Sequence, residues 1–316
     1  MKFKPILLYT KHRQTIPILQ ENKEDFVLID FDQLWKILRI FGKTRTSKLR
    51  AKVYFVLLKV LKPEIILDIN WIGRVAMIHH LYSKKYNVKL VAVQHGFYTG
   101  GHISNRFPEG RWHKMARCTH FWIWSDCIKS EVVENRANFI VNGNPLYNTL
   151  FGFKNPYRKI EKVETILILP TSFVVGDEQK LDKLNYVIDC LVLNGYQVYI
   201  KFHHMNQIFP NKDQVKILEN IDVYSVLLKQ EFDLVIADHS TTLLDALFFN
   251  NFVSFCNFHQ SSNTLYEKFL GELNVEFIED EMIKIISSNR IEQQTNFLNY
   301  LGLNGKYSNS ILDNIK

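Results

Sequence analysis

The chain has 316 residues, 47% of them apolar and 22% charged, with a formal net charge of +7. That length and apolar content exclude global disorder and suit two packed domains of about 150 residues each. The positive charge favours an anionic partner but does not choose among a phosphorylated small molecule, an acidic polymer, a lipid surface and nucleic acid.

In chain order, residues 6–9 and 26–29 read as short strands. Between them and the next element lies a basic stretch carrying Lys43, Arg45, Lys48, Arg50 and Lys52. It is expected on a solvated loop and helix face, with contact to anionic lipid headgroups as the sharper alternative. Gly42-Lys43-Thr44 lacks the upstream glycine and the feeding strand of a P-loop. Residues 53–61 read as a helix, 65–67 as a buried strand, and Val75, Ile78, Leu81 and Tyr82 recur at helical spacing. A strand over 88–93 follows, ending at Gln94-His95-Gly96. Strand, helix and strand joined by short connections make a βαβ unit, hence a parallel sheet. Residues 121–124 and 139–141 add two strands. In the first of these, Trp122 and Trp124 share one side and are expected in the core. Residues 155–164 are polar and contain Pro156, so they are the expected linker.

A second series then begins. Residues 165–169 form a strand ending at Pro170-Thr171-Ser172, and 181–193 a helix stopped near Gly195. Residues 197–202 form a strand ending at His203, and 234–236 one ending at Asp238. A helix over 243–249, a strand over 252–255 and a polar helix from about residue 289 complete the chain. The expected class is α/β with two Rossmann-like domains, residues 1–154 and 155–316, facing a cleft. Four cysteines without a Cys-x-x-Cys pair argue against a zinc knuckle or redox dithiol and fit a reducing compartment. No leader and no apolar run of about 18 residues is read, so a soluble or peripheral protein is expected.

In open parallel sheets ligands sit beyond the carboxyl ends of strands, and three polar groups fall there. At the first, Gln94-His95-Gly96 with Gly100-Gly101 gives backbone freedom for close approach and a histidine that suits a general base. In Lys201-Phe202-His203-His204, Lys201 and His203 share a face and suit a diphosphate; two edge histidines are the bland alternative. The third, Asp238-His239-Ser240-Thr241-Thr242, runs from a strand end into a helix. Its hydroxyls and free N–H groups form a phosphate cradle, and Asp245 lies one turn in. Ordinary N-capping explains one such hydroxyl more easily than three. His79-His80 diverge by about 100° on a helix and cannot share a metal ion, so they are expected to be structural or exposed.

The order and spacing of His95-Gly96, Gly143-Asn144-Pro145, Lys201-Phe202-His203 and Asp238-His239-Ser240-Thr241 with Asp245 resemble a known group. It is the GT-B-like transferases of bacterial surface-polysaccharide assembly, in particular the CDP-glycerol glycerophosphotransferase and capsule polysaccharide transferase group. The likeness runs from about residue 64 to 256, and His204 departs from it where that group has proline. The resemblance implies acceptor binding in the N-terminal half, near Gln94, Gly96, Gly100 and Gly101, with His95 as base. It implies donor binding in the C-terminal half through Lys201, His203, Asp238, Ser240, Thr241, Thr242 and Asp245. Gly143, Pro145, Thr171 and Ser172 join that donor set. No cofactor or metal is expected, because GT-B-like enzymes neutralise the leaving phosphate with side chains and helix ends.

The expected function is glycosyl transfer in capsule or lipopolysaccharide synthesis. The donor would be a nucleotide-sugar and the acceptor a glycan or lipid-linked molecule, on the cytoplasmic side and with an anionic membrane surface as a further partner. A CDP-glycerol or CDP-ribitol type phosphotransferase is a close rival. A UDP-sugar 2-epimerase-like enzyme would need carboxylates near the His-Gly, and none is read there. A non-catalytic anion-binding or nucleic-acid module lacks any accompanying nucleic-acid signature.

Overall fold

The structure, a computed structural model, describes residues 4–41, 48–69, 74–94, 118–127, 129, 137–170, 178–202, 215–219, 221–238, 241–258, 265–305, 307–311 and 315. They form two compact units. One takes in the described residues up to Gln94, those from Cys118 to Phe151 and those from Leu301 on, and the other those from Gly152 to Tyr300.

The first unit is built on strands β1 (Ile6–Tyr9), β2 (Val27–Asp30), β3 (Ile65–Asp68), β4 (Lys89–Val93), β5 (His120–Ile123) and β6 (Asn138–Val141). All neighbours are parallel, in the order β2-β1-β3-β4-β5-β6. The strands are short and almost wholly apolar because a parallel sheet is covered on both faces. Successive residues therefore enter different cores. Leu7, Ile65, Leu67, Val91 and Trp122 join one cluster. Leu8, Ile66 and Leu90 join another with Tyr54, Leu58, Ile78 and Tyr82. Each such side chain contributes roughly 1.5–3 kcal/mol by leaving water. The covering helices are α1 (Thr15–Asn22), α2 (Phe31–Ile37), α3 (Lys48–Leu61), α4 (Arg74–Tyr86) and α5 (Pro145–Leu150), with a 3-10 turn over Leu38–Phe41.

The second unit holds β7 (Thr165–Leu169), β8 (Gln197–Ile200), β9 (Val215–Ile217), β10 (Leu234–Ala237) and β11 (Val253–Phe255), parallel in the order β11-β10-β7-β8-β9. Its helices are α6 (Glu178–Leu193), α7 (Val223–Lys229), α8 (Thr241–Phe248), α9 (Leu265–Leu270), α10 (Ile278–Ile285) and α11 (Ser288–Tyr300). On α6, Leu184, Val187, Ile188 and Leu191 recur at helical spacing and are buried. The helix stops where Gly195, at φ +83°, lets the Tyr196 N–H reach back to Leu191.

The expected strands and long helices are present. The sequence reading passed over α1, α2, α5, α7, α9, α10 and β9. It also assigned the whole of 155–316 to the second domain, whereas the chain end returns to the first unit. The reason is a buried polar clasp. Asn309 donates from its side chain to the Pro145 carbonyl and Thr149, accepts from Asn148, and receives Asn22 on its carbonyl. Asn142 adds a bond to the Ser308 carbonyl, and Ile311 and Ile315 enter the first unit's core. Buried amides are strongly favoured once every donor and acceptor has a partner. Among the described residues no helix is long and apolar enough to cross a membrane.

The clasp generates a stability prediction. Asn309→Ala removes three side-chain bonds and should lower the unfolding free energy by about 1–3 kcal/mol. Urea denaturation followed by tryptophan fluorescence measures it, and an unchanged midpoint would show that the returning segment does not hold the unit together.

Candidate functional site

A parallel sheet opens its ligand crevice where the chain reverses its direction of strand addition. In the second unit this switch lies between β7 and β10, since β8 and β9 extend one side of β7 and β10 and β11 the other. The chain leaves β10 through Asp238, which is fully buried, and starts α8 at Thr241. A carboxylate just ahead of a helix start is favoured by the helix dipole. Thr242 is partly exposed on the first turn of α8. Lys201 follows β8, the other neighbour of β7, and its backbone N–H continues the ladder to Ile168. Asp238, Lys201 and Thr242 thus stand at the carboxyl edge of one sheet, as the sequence placed them.

Asp245, expected in the donor set, is turned inward. It is 1% exposed, and its Oδ2 accepts the Tyr224 hydroxyl at 3.1 Å, bracing α7 against α8. Gly143 and Pro145, expected at the donor, belong to the first unit and carry backbone tasks. Gly143 has φ +65°, and a Cβ there would stand 2.6 Å from Tyr307. Its carbonyl accepts the Trp122 indole N–H at 3.1 Å, and Pro145 opens α5 behind the Asn144 cap. Gln94, expected on the acceptor side, is buried. Its Oε1 accepts the Trp124 N–H at 2.9 Å and its carbonyl the Trp124 indole at 3.1 Å. Trp122 and Trp124 are core residues, as expected. His95, Gly96, Gly100, Gly101, Thr171, Ser172, His203 and Ser240 lie outside the described residues, as does the side chain of Thr241.

In the first unit the switch lies between β1 and β3, and there the structure shows a constellation the sequence reading missed. Thr10, just past β1, donates to Asp68 Oδ1 at 3.1 Å. Asp68, the last residue of β3, meets His79 Nδ1 through Oδ2 at 2.7 Å. His79 Nε2 meets the Tyr54 hydroxyl at 2.7 Å. All four side chains are buried. His79 is therefore structural rather than exposed, held on α4 between a carboxylate and a phenol. Desolvation, reinforced by the Asp68 charge, holds the Tyr54 phenol well above its ordinary value. The signal was legible: Asp68 ends the apolar, fully buried strand β3, and His79 lies beside Ile78 on the buried face of its helix.

The sequence holds one Asp-x-Asp, Asp30-Phe31-Asp32, where none was expected. Asp30 is a helix cap, accepting the N–H groups of Asp32 and Gln33 at 2.7 and 3.3 Å. Among the described residues no group of three or more His, Cys, Asp or Glu side chains gathers to hold a metal ion.

No family model matches the chain, and no curated protein matches it. Solved structures do. S. aureus MnaA with UDP is similar at a TM-score of 0.60 and 12% identity, over 97% of this chain and 92% of that one. The UDP-GlcNAc 2-epimerase of Methanocaldococcus jannaschii with UDP-GlcNAc and UDP gives 0.58 and 13%, over 95% and 99%. The glycotransferase of kitacinnamycin gives 0.56 and 7%, over 96% of each chain. At such identities the likeness establishes the fold, a GT-B-like pair of parallel α/β units.

The Tyr54 geometry predicts a pH effect. A phenol whose folded pKa is raised stabilises the fold below its unfolded value of about 10, and that stability is lost as pH rises toward the folded value. Urea midpoints should therefore fall between about pH 9.5 and 11, and fall less in Tyr54→Phe. An equal slope in both proteins would exclude Tyr54 as the source.

Proposed function

We propose that this protein binds a nucleotide-activated sugar at the carboxyl edge of the second unit's sheet and transfers the sugar to a glycan or lipid-linked acceptor. The observation that carries the reading is the β7/β10 switch. There buried Asp238 follows a strand and a helix begins at Thr241-Thr242, the placement that can cradle phosphate. Whole-length likeness to structures holding UDP supports it.

In this reading the N–H groups at the start of α8, with Ser240, Thr241 and Thr242, hold the donor diphosphate. Lys201 and His203 beyond β8, and Thr171 and Ser172 beyond β7, complete the set. His95, directly after buried Gln94, takes the proton from the acceptor hydroxyl. The acceptor oxygen bonds the anomeric carbon as the carbon–oxygen bond to phosphate breaks. The electron pair leaves on the diphosphate, whose growing charge Lys201 and the helix start stabilise. The rigid Gln94–Trp124 pairing serves this step by fixing the strand from which His95 departs.

A second reading, epimerisation of the nucleotide-sugar itself, is favoured by one observation: several of the similar structures are UDP-GlcNAc 2-epimerases. The two differ in stoichiometry, since transfer needs a second substrate and epimerisation does not.

Thermal shift against UDP, CDP, CMP and GDP tests the shared premise, because a ligand binding only the folded state raises the melting temperature. One nucleotide should stabilise the protein, and Ser240→Ala/Thr241→Ala should weaken its binding about tenfold or more, roughly 1.4 kcal/mol. No shift at millimolar nucleotide would sink both readings. Incubation with UDP-GlcNAc alone then separates them: a 2-epimer appearing without acceptor supports epimerisation, and UDP release that depends on acceptor supports transfer.

A further inference from the structure

The α2–α3 side of the first unit carries a surface that the reaction above does not use. At about 100° per residue, Leu49, Val53, Val56 and Val60 of α3 fall within about 60° of one another, and Lys48, Lys52 and Lys59 within about 40° on the adjoining stripe. The core-facing stripe is Arg50, Tyr54 and Leu58, all buried. Val60 is 73% exposed, and Leu49 and Val56 are 56% exposed each. On the elements that precede α3, Ile37 is 66% and Ile40 80% exposed. Scattered apolar side chains on a surface need no explanation. A helix stripe with three exposed members, Val53 packing against the core behind them, next to a lysine stripe and joined by two isoleucines on neighbouring elements, does.

The same elements wall a cavity of about 710 Å³. Lys11, Lys36, Arg39 and Arg50 line it, facing Asp30 and Asp32. Both acids are engaged by backbone: Asp30 caps α2, and Asp32 accepts from the Lys11 N–H. Arg50 is expected on a solvated helix face from sequence, yet it is 1% exposed. Its guanidinium lies 4.0 Å from the Trp35 ring centre and donates to the Trp35 carbonyl. Arg50 thus braces the cavity wall, and Lys11, Lys36 and Arg39 are the exposed cations on it that can meet a phosphate.

We propose that this face docks on an anionic membrane. Leu49, Val56, Val60 and Ile40 enter the boundary between headgroups and acyl chains, Lys48, Lys52 and Lys59 lie at headgroup level, and the adjoining cavity receives the phosphate of a lipid headgroup. The chemistry is that of an interfacial helix, in which apolar area and cations act together and the lysine stems reach outward from the apolar stripe. The inference goes beyond the nucleotide-sugar reading and does not depend on it.

The test is co-sedimentation of the full chain with vesicles of phosphatidylcholine, alone or mixed with phosphatidylglycerol, at low and high salt. The expected result is binding to mixed vesicles about tenfold above binding to phosphatidylcholine, weakened by salt. Val56→Asp/Val60→Asp should abolish binding, and Lys36→Ala/Arg39→Ala should remove the preference for phosphatidylglycerol. Both variants should keep the wild-type circular dichroism and any nucleotide-induced thermal shift, which separates failure here from failure of the proposed reaction. Wild-type protein left in the supernatant, or variants that sediment like wild type, would overturn the proposal. So would thermal stabilisation by free glycerol 3-phosphate without vesicle binding. A dimer that Val56→Asp/Val60→Asp converts to monomer, with vesicle binding unchanged, would assign the face to a second copy instead.

Discussion

The described residues are organised by one constraint: eleven short strands, each parallel to its sheet neighbours. A parallel neighbour cannot be reached by a tight turn, so each strand is left and re-entered through a crossover. The crossovers cover both faces of each sheet, which is why most strand residues are apolar and polar ones sit mainly at strand ends. They also send every departing loop to the same edge. Polar residues that interrupt the apolar pattern therefore collect at one edge of each sheet, and within it the switch point has room for a ligand. Asp68 and Asp238 occupy equivalent places by this logic, each beyond the last apolar residue of a strand at the switch of its own sheet.

The two acids are used differently. Asp68 is enclosed by Thr10, His79 and, through His79, Tyr54, so it locks the ends of β1 and β3 to α3 and α4. Asp238 lies three residues before α8, which begins with Thr241 and Thr242. The first unit's switch is thus consolidated by side chains, while that of the second runs into a helix start.

Much of this was legible from residue order. Runs such as Ile65-Ile66-Leu67 and Leu234-Val235-Ile236 are too apolar and too short for anything but buried strands, and α6 announces itself by four apolar residues at helical spacing. The elements that escaped are short or atypical: α1 contains Pro17, α7 has seven residues, and β9 has three. Of the site, the positions of Asp238, Lys201 and Thr242 at one sheet edge were readable, because strand ends are readable. The sequestration of Asp245 by Tyr224, and of Gln94 by Trp124, was not. Each depends on a partner 21 or 30 residues away whose side-chain direction no local pattern specifies. Arg50 shows the same limit: its charge suggested solvent, and Trp35 decided otherwise.

The clasp at Asn309 has a consequence for synthesis. A ribosome releases the chain from its amino end, and domains generally fold as units as they emerge. The second unit, Gly152–Tyr300, is complete in sequence before residues 308–311 exist outside the tunnel. The first unit must meanwhile wait without Ile311 in its core, and Asn22 and Asn148 keep only their bonds to the Ile18 and Asn142 carbonyls. The unit that starts first is therefore completed only after the whole of the second has been made, and until residues 308–311 emerge its nascent form exposes the seam they cover.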